Sequence, residues 1–361
     1  MLLISHVYSG SNVVIDLRGN GGGTIDFGFE VFRQLFPSVE PYGGSRYRAH
    51  EAFQDYSTAI ADLAANGTVL DGIVEKESPF EDADFANTPF LWSNILDANQ
   101  EPYTSFEDYY GPDELQSDTF TSVRRYNVSQ RNADGDVLLM TTSSLAHQPL
   151  KAEDIVVVQD GLCGSTCAIF AELMREQGKV QTIAIGGRPV TGPMQGAGGS
   201  KGSQVLSFDA LRSLIANNTV NINAALGSAH TFDNSTATGR ILMAKQLVTR
   251  TTRDDAGALS GSVNSLNNLR EGDETNTPLE FVYEAADCKL FYTRGTWSDP
   301  RALWKHTVDV QWRGGKCVEG STSPGRNNTV PPIQSNLGAS LESGTTSLAF
   351  VVASKVLSVK L

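Results

Sequence analysis

The chain lacks an apolar run that reads as a spanning helix, because its carboxyl-terminal stretch from Leu348 to Leu361 is broken by Lys355 and Lys360. Positive charge is also scarce. There are 28 Lys plus Arg against 41 Asp plus Glu in 361 residues, a formal net charge of −13 with no extended basic stripe. That balance argues against nucleic acid as a partner. Histidine and cysteine number only five and four, and no pair of His, Cys, Asp or Glu stands at ligand spacing with a second pair to complete it. No metal and no cofactor is therefore expected. The amino terminus has too little apolar sequence for a leader: Met1 to Ile4 is short and has no basic flank. Because the strand starting at Val13 needs neighbours, the chain reads as lacking an upstream segment.

With 40% hydrophobic and 19% charged residues, the chain has enough apolar sequence for at least one full core and a smaller second unit. Five Asn-x-Ser/Thr acceptors, at Asn66, Asn127, Asn217, Asn234 and Asn327, suggest passage through a glycosylating secretory route to the extracellular space. The four cysteines fit an oxidising compartment. Cys288 with Cys317 is the simplest long-loop pair and Cys163 with Cys167 a shorter one, but connectivity stays open. The small residues Ser343 and Gly344 ahead of the apolar tail are compatible with a membrane lipid anchor.

Residues 13–36 read as strand, glycine turn and helix, with Ile25, Phe29, Phe32 and Phe36 on one face and Pro37 as the stop. The same order returns at 155–177: an apolar strand Ile155 to Val158, a turn, then a helix from about Ser165 to Gln177. A third strand, Thr182 to Ile185, follows. A strand-helix-strand unit favours parallel pairing, so the fold class is α/β. Four regions are expected: 1–36 as the first part of a core, 37–150 as a large insertion, 151–250 as its second part, and 251–361 as an appended region.

Two turns carry the chemistry. Asp16-Leu17-Arg18-Gly19-Asn20-Gly21-Gly22-Gly23 lets the backbone approach a ligand closely and adopt positive φ. Gly161-Leu162-Cys163-Gly164-Ser165-Thr166-Cys167 puts a hydroxyl at a helix start. Ser is also an ordinary N-cap, so one such turn means little. Two at the ends of adjacent strands would supply both a nucleophile and backbone N–H donors.

The first turn resembles the glycine motif of the S41-type, tail-specific or carboxyl-terminal-processing serine peptidases. Ser165-Thr166-Cys167-Ala168-Ile169-Phe170-Ala171 resembles their nucleophile segment. The resemblance covers roughly residues 13–36 and 155–206. It implies a crotonase-like (ClpP-like) spiral of strand-strand-helix units, polypeptide substrates and serine endopeptidase activity, with Ser165 as nucleophile. It also implies an oxyanion site at the N–H of Thr166 and of Gly22 or Gly23, with Arg18 in the motif's arginine position.

The tail-specific branch pairs its serine with a lysine in a Gly-Lys-Gly-like loop, for which Lys201, 36 residues beyond Ser165, is the candidate. The Cys-x-Ser-Thr-Cys pattern and the secretory signs look closer to secreted fungal proteins similar to the chlamydial protease-like factor. That branch uses serine, histidine and glutamate, with the histidine upstream of the glycine motif. His6, His50, His147, His230 and His306 are scattered. A papain-like reading of Cys163-Gly164-Ser165 is disfavoured, because no Trp follows and the cysteine precedes the helix. An inactive peptide-binding module on the same scaffold is the alternative to an enzyme. Acyl-CoA chemistry conflicts with the secretory signs.

Overall fold

The computed structural model describes residues 12–65, 92–115, 117–126, 148, 150–198, 201–202, 204–208, 235–239, 261–322 and 349–352. The five glycosylation acceptors, Ser343, Gly344, His6, His147 and His230 lie outside the described residues. In chain order the elements are β1 (Val13–Asp16), α1 (Ile25–Leu35), β2 (Ser45–Arg46), α2 (Glu51–Ala65), α3 (Phe106–Tyr110), β3 (Asp113–Leu115) and β4 (Asp118–Phe120). Then come β5 (Ile155–Gln159), β6 (Gly161–Leu162), α4 (Thr166–Glu172), β7 (Gln181–Ile185), β8 (Ala197–Gly198) and β9 (Val205–Ser207). The series ends with β10 (Ser262–Asn264), β11 (Asn267–Asn268), β12 (Cys288–Leu290), α5 (Arg294–Ser298), α6 (Pro300–Trp312) and β13 (Ala349–Val352).

The chain divides into two units. The first comprises residues 1–42, 139–203 and 277–361, and the second 43–138 and 204–276. The first unit is α/β. Its sheet runs β12-β7-β5-β1-β13, and each adjacent pair is parallel. The strands read Val-Val-Ile-Asp, Ile-Val-Val-Val-Gln and Gln-Thr-Ile-Ala-Ile, and β1 and β5 are buried along their whole length. Unbroken runs of β-branched residues suit strands covered on both faces.

Side-chain alternation divides the core. Val14, Val156, Val158, Ile183 and Ile185 pack with Cys288, Leu290, Leu303, Val308 and Val310 in one cluster. By the strand period of two, Val13, Ile15, Ile155 and Val157 face the other way. On α1 and its C-cap, Phe29, Phe32 and Phe36 are buried, and the rings of Phe32 and Phe36 lie 5.3 Å apart. Gly28 lets this helix approach α4 closely, since a Cβ there would come within 2.7 Å of Thr166 Cγ2. After α4 the helix continues as a π-type turn from Leu173 to Gln177 before Gly178 ends it.

Residues beyond 250, set apart by sequence as an appended region, here supply β12, α6 and β13 to the central sheet and its core. Their signal is weak in sequence because β12 is three residues long and contains Lys289. That lysine is 3% exposed and donates to the carbonyls of Arg188 (3.1 Å) and Val190 (2.7 Å), which satisfies its buried ammonium.

The second unit draws on both 43–138 and 204–276, where sequence suggests a single insertion over 37–150. Its described strands pair as the antiparallel couples β2 with β11, β3 with β4 and β9 with β10. Tyr47, Ala49, Phe53, Ile95, Tyr109, Tyr110 and Leu266 form its core. The buried Arg124 guanidinium lies over the Tyr47 and Tyr126 rings, at 5.8 and 5.3 Å.

Leu303 on α6 is fully buried against the sheet cluster. Leu303→Ala is expected to lower unfolding free energy by about 2–5 kcal/mol, read from urea melts. A loss under about 0.5 kcal/mol would show that this helix is not part of the core.

Candidate active site

Parallel pairing of β1 with β5 matches Val13 to Ile155 and Asp16 to Val158, so the two strands end within one residue of each other. The Leu17 N–H extends this ladder to the carbonyl of Val158 at 2.8 Å. Beyond it the two turns stay joined. Asn20 bridges to Cys163 in parallel fashion, and Gly164 N–H donates to the Asn20 carbonyl at 3.3 Å. Asp160 ties them again by accepting from the Gly19 N–H at 3.1 Å and the Leu162 N–H at 3.1 Å.

Asp16, at the end of β1, is 4% exposed and accepts from several donors. Arg18 donates from Nε (2.8 Å) and Nη2 (2.6 Å), and Trp304 from Nε1 (2.8 Å). Burial opposes the charge on Arg18, but its hydrogen bonds to Asp16 and Tyr292 outweigh that and raise its pKa. The guanidinium is thus engaged by Asp16 and Tyr292, while Trp304 ties the strand end to α6. In the first turn of α1, burial raises the pKa of the Asp26 carboxyl above its ordinary value.

Ser165 immediately precedes α4 with φ 50° and ψ −128°. A non-glycine residue in that region is strained by roughly 1–3 kcal/mol and persists only where its surroundings over-determine it. Its side chain makes no capping hydrogen bond to the helix. The serine is therefore not acting as an ordinary N-cap. Around it, Cys167 N–H donates to the Gly164 carbonyl at 3.0 Å, and Thr166 Oγ1 donates to the Gly23 carbonyl at 2.5 Å. Cys163 and Cys167 are joined by a disulfide that spans the serine, and Cys288 pairs with Cys317.

The glycine turn lies directly against this serine. A Cβ on Gly22 would sit 2.6 Å from Ser165 Cβ and 3.2 Å from its Oγ, and Gly22 has φ +118°. Both the contact and the backbone require glycine there. The two candidate donors differ: Gly22 N–H is taken by Asn20 Oδ1 at 2.9 Å, whereas Gly23 N–H and Thr166 N–H have no partner among the described residues. Asn20 itself is 5% exposed, and its Nδ2 is buried without a partner among the described residues.

Lys201 is 6% exposed. Its Nζ donates to Glu284 Oε2 at 3.0 Å and to the Val282 carbonyl at 3.2 Å. Glu284 also faces Arg175 Nε at 3.4 Å. His306 lies on α6, and His50 precedes α2 in the second unit, where its Nδ1 accepts from the Phe53 N–H at 3.3 Å. Ser165, Thr166, Gly22 and Gly23 are thus brought together, while Lys201 meets Glu284 and the Val282 carbonyl, and Arg18 meets Asp16 and Tyr292. Sequence reasoning passed over Asn20, although it stands inside the glycine motif. It also missed Trp304, whose link to Asp16 spans 288 residues.

Gly22→Ala is expected to slow the reaction of Ser165 with a serine-directed fluorophosphonate by about 10²-fold, as expected for a reacting group displaced by about 1 Å. Gly21→Ala is the control, because a Cβ at Gly21 meets nothing within 4 Å. Equal rates for the two variants would show that Gly22 does not shape the site.

Three curated proteins are similar to the chain along most of its length. The peptidase S41 family protein ustP of Aspergillus flavus is 31% identical over 320 residues, covering 86% of this chain and 63% of its own length. The peptidase S41 family proteins phomP1' and phomP1 of Diaporthe leptostromiformis are each 30% identical over 348 residues, 86% of this chain and 49% of theirs. The chain therefore spans about half to two-thirds of the length of these relatives. No family model and no solved structure matches it. Three relatives that share this family name, each matched over 86% of the chain, support its membership of the peptidase S41 family.

Proposed function

We propose that the chain carries the nucleophile of a secreted serine endopeptidase that hydrolyses polypeptides through an acyl-enzyme on Ser165. The observation that carries this reading is the strained backbone of Ser165 directly against the Gly22 turn. In this scheme Ser165 Oγ attacks the scissile carbonyl as a base takes its proton. The carbonyl oxygen then gains negative charge beside the N–H groups of Thr166 and Gly23, which have no partner among the described residues. Collapse expels the amine, which receives the proton from the base, and water, giving a proton to the same base, then hydrolyses the ester to a carboxylic acid and returns Ser165 as the hydroxyl. Gly23 is preferred to Gly22 as donor because Asn20 already occupies the Gly22 N–H. We read Arg18 as structural.

A general base must offer a lone pair. Lys201 Nζ is held on the Glu284 carboxylate and the Val282 carbonyl, so we favour a histidine over Lys201 as base. The crotonase-like spiral is our reading of the parallel strand-helix repeats, and the two disulfides support an oxidising, extracellular setting. The alternative is a peptide-binding module on the same scaffold, without hydrolysis.

Cleavage of an unfolded polypeptide separates these readings. Ser165→Ala is expected to abolish it, whereas Lys201→Ala should leave turnover within a few-fold, because only members of one catalytic unit fail together. Loss of turnover in Lys201→Ala equal to that in Ser165→Ala would make Lys201 the base. Peptide binding without turnover by the unaltered protein would support the module.

A further inference from the structure

The Cys163–Cys167 disulfide closes a loop with a sequence separation of only 4, and Ser165 lies at its centre. Both cysteines are buried, at 2% and 0% exposure. Its location is hard to explain by global stability. A cross-link stabilises mainly by restricting the unfolded chain, and that effect grows with loop length. A separation of 4 restricts little of the unfolded ensemble, whereas Cys288–Cys317 has a separation of 29 and restricts much more.

What the short link does restrict is the backbone on either side of Ser165. That backbone has a competing conformation, since serine at a helix start ordinarily takes extended φ and caps the helix with its side chain. Here it has φ 50° and makes no such cap. Returning to the ordinary cap would turn the hydroxyl toward the helix amides and away from Gly22. The hydrogen bonds from Gly164 to Asn20 and from Thr166 to Gly23 oppose that return at the edges of the turn. The disulfide spans the whole of it, with Cα atoms 5.2 Å apart.

We propose that the Cys163–Cys167 disulfide is a positioning element for the nucleophile, holding Ser165 out of the helix-capping conformation and against the glycine turn. This rests on Ser165 being the nucleophile. Its effect falls on the rate at which Ser165 is acylated rather than on substrate affinity or folding.

The test compares the unaltered full chain with Cys163→Ala/Cys167→Ala and with Cys288→Ala/Cys317→Ala as control. A fluorophosphonate is titrated to separate the maximal labelling rate from the half-saturating concentration, at a temperature where circular dichroism shows each protein folded. The first pair should lose about 10²-fold in maximal rate with half-saturation unchanged. The control pair should keep the rate while its unfolding midpoint falls further. A maximal rate within about twofold of the unaltered chain for the first pair would overturn the proposal. The serine pair Cys163→Ser/Cys167→Ser replaces the alanine pair if that does not fold. Amide exchange supplies a readout independent of labelling: the first pair should exchange at least tenfold faster within residues 161–168 and unchanged in β5 and β7. If the unaltered chain is not labelled at all, the peptidase reading fails and exchange alone decides. Identical exchange in residues 161–168 would then overturn the positioning role.

Discussion

The parallel register of β1 on β5 is the constraint on which the site depends. Val13 opposite Ile155 and Asp16 opposite Val158 make the two strands end at one edge of the sheet. Whatever follows each strand must emerge side by side. The bonds from Leu17 to Val158 and from Gly164 to Asn20 continue that pairing beyond the strands. A slip of one residue in β1 would turn Val14 out of the core cluster, and a slip in β5 would turn out Val156 and Val158, so hydrophobic burial fixes the alignment of the turns.

From that edge, the chemistry is a matter of who is already engaged. Asn20 engages Gly22, Asp16 engages Arg18 and Trp304, and Glu284 engages Lys201. The N–H groups of Gly23 and Thr166 are left open among the described residues beside a serine whose backbone is strained. Fixed N–H donors beside a developing oxyanion need no reorganisation when charge appears, and such preorganisation supplies much of the catalysis in acyl transfer. The strain at Ser165 is sustained by contacts made elsewhere: the disulfide, the Thr166 hydroxyl and the Asn20 carbonyl.

The parts legible in sequence were those with strong local signals. Continuous β-branched runs marked β1, β5 and β7, and the glycine clusters marked both turns. Phe29, Phe32 and Phe36 marked the buried face of α1. The contribution of residues beyond 250 was not legible, because β12 is short, carries a buried lysine and pairs with β7 across more than a hundred residues. Asn20 was quoted within its motif, yet its hydrogen bond to Gly22 depends on turn geometry that spacing does not encode. Lys201 stood out by its loop, whereas its partner Glu284 lies 83 residues later in the chain. From its place after Gly164, Ser165 also reads as a helix cap, a role that its φ of 50° and uncapped side chain exclude.

Identifying the residue that forms the covalent bond tests the central claim most directly. The unaltered protein, treated with a fluorophosphonate and digested, should carry a single phosphonyl adduct on the peptide containing Ser165, with fragment ions locating it on that serine. An adduct on another serine, with Ser165 unmodified, would contradict the account.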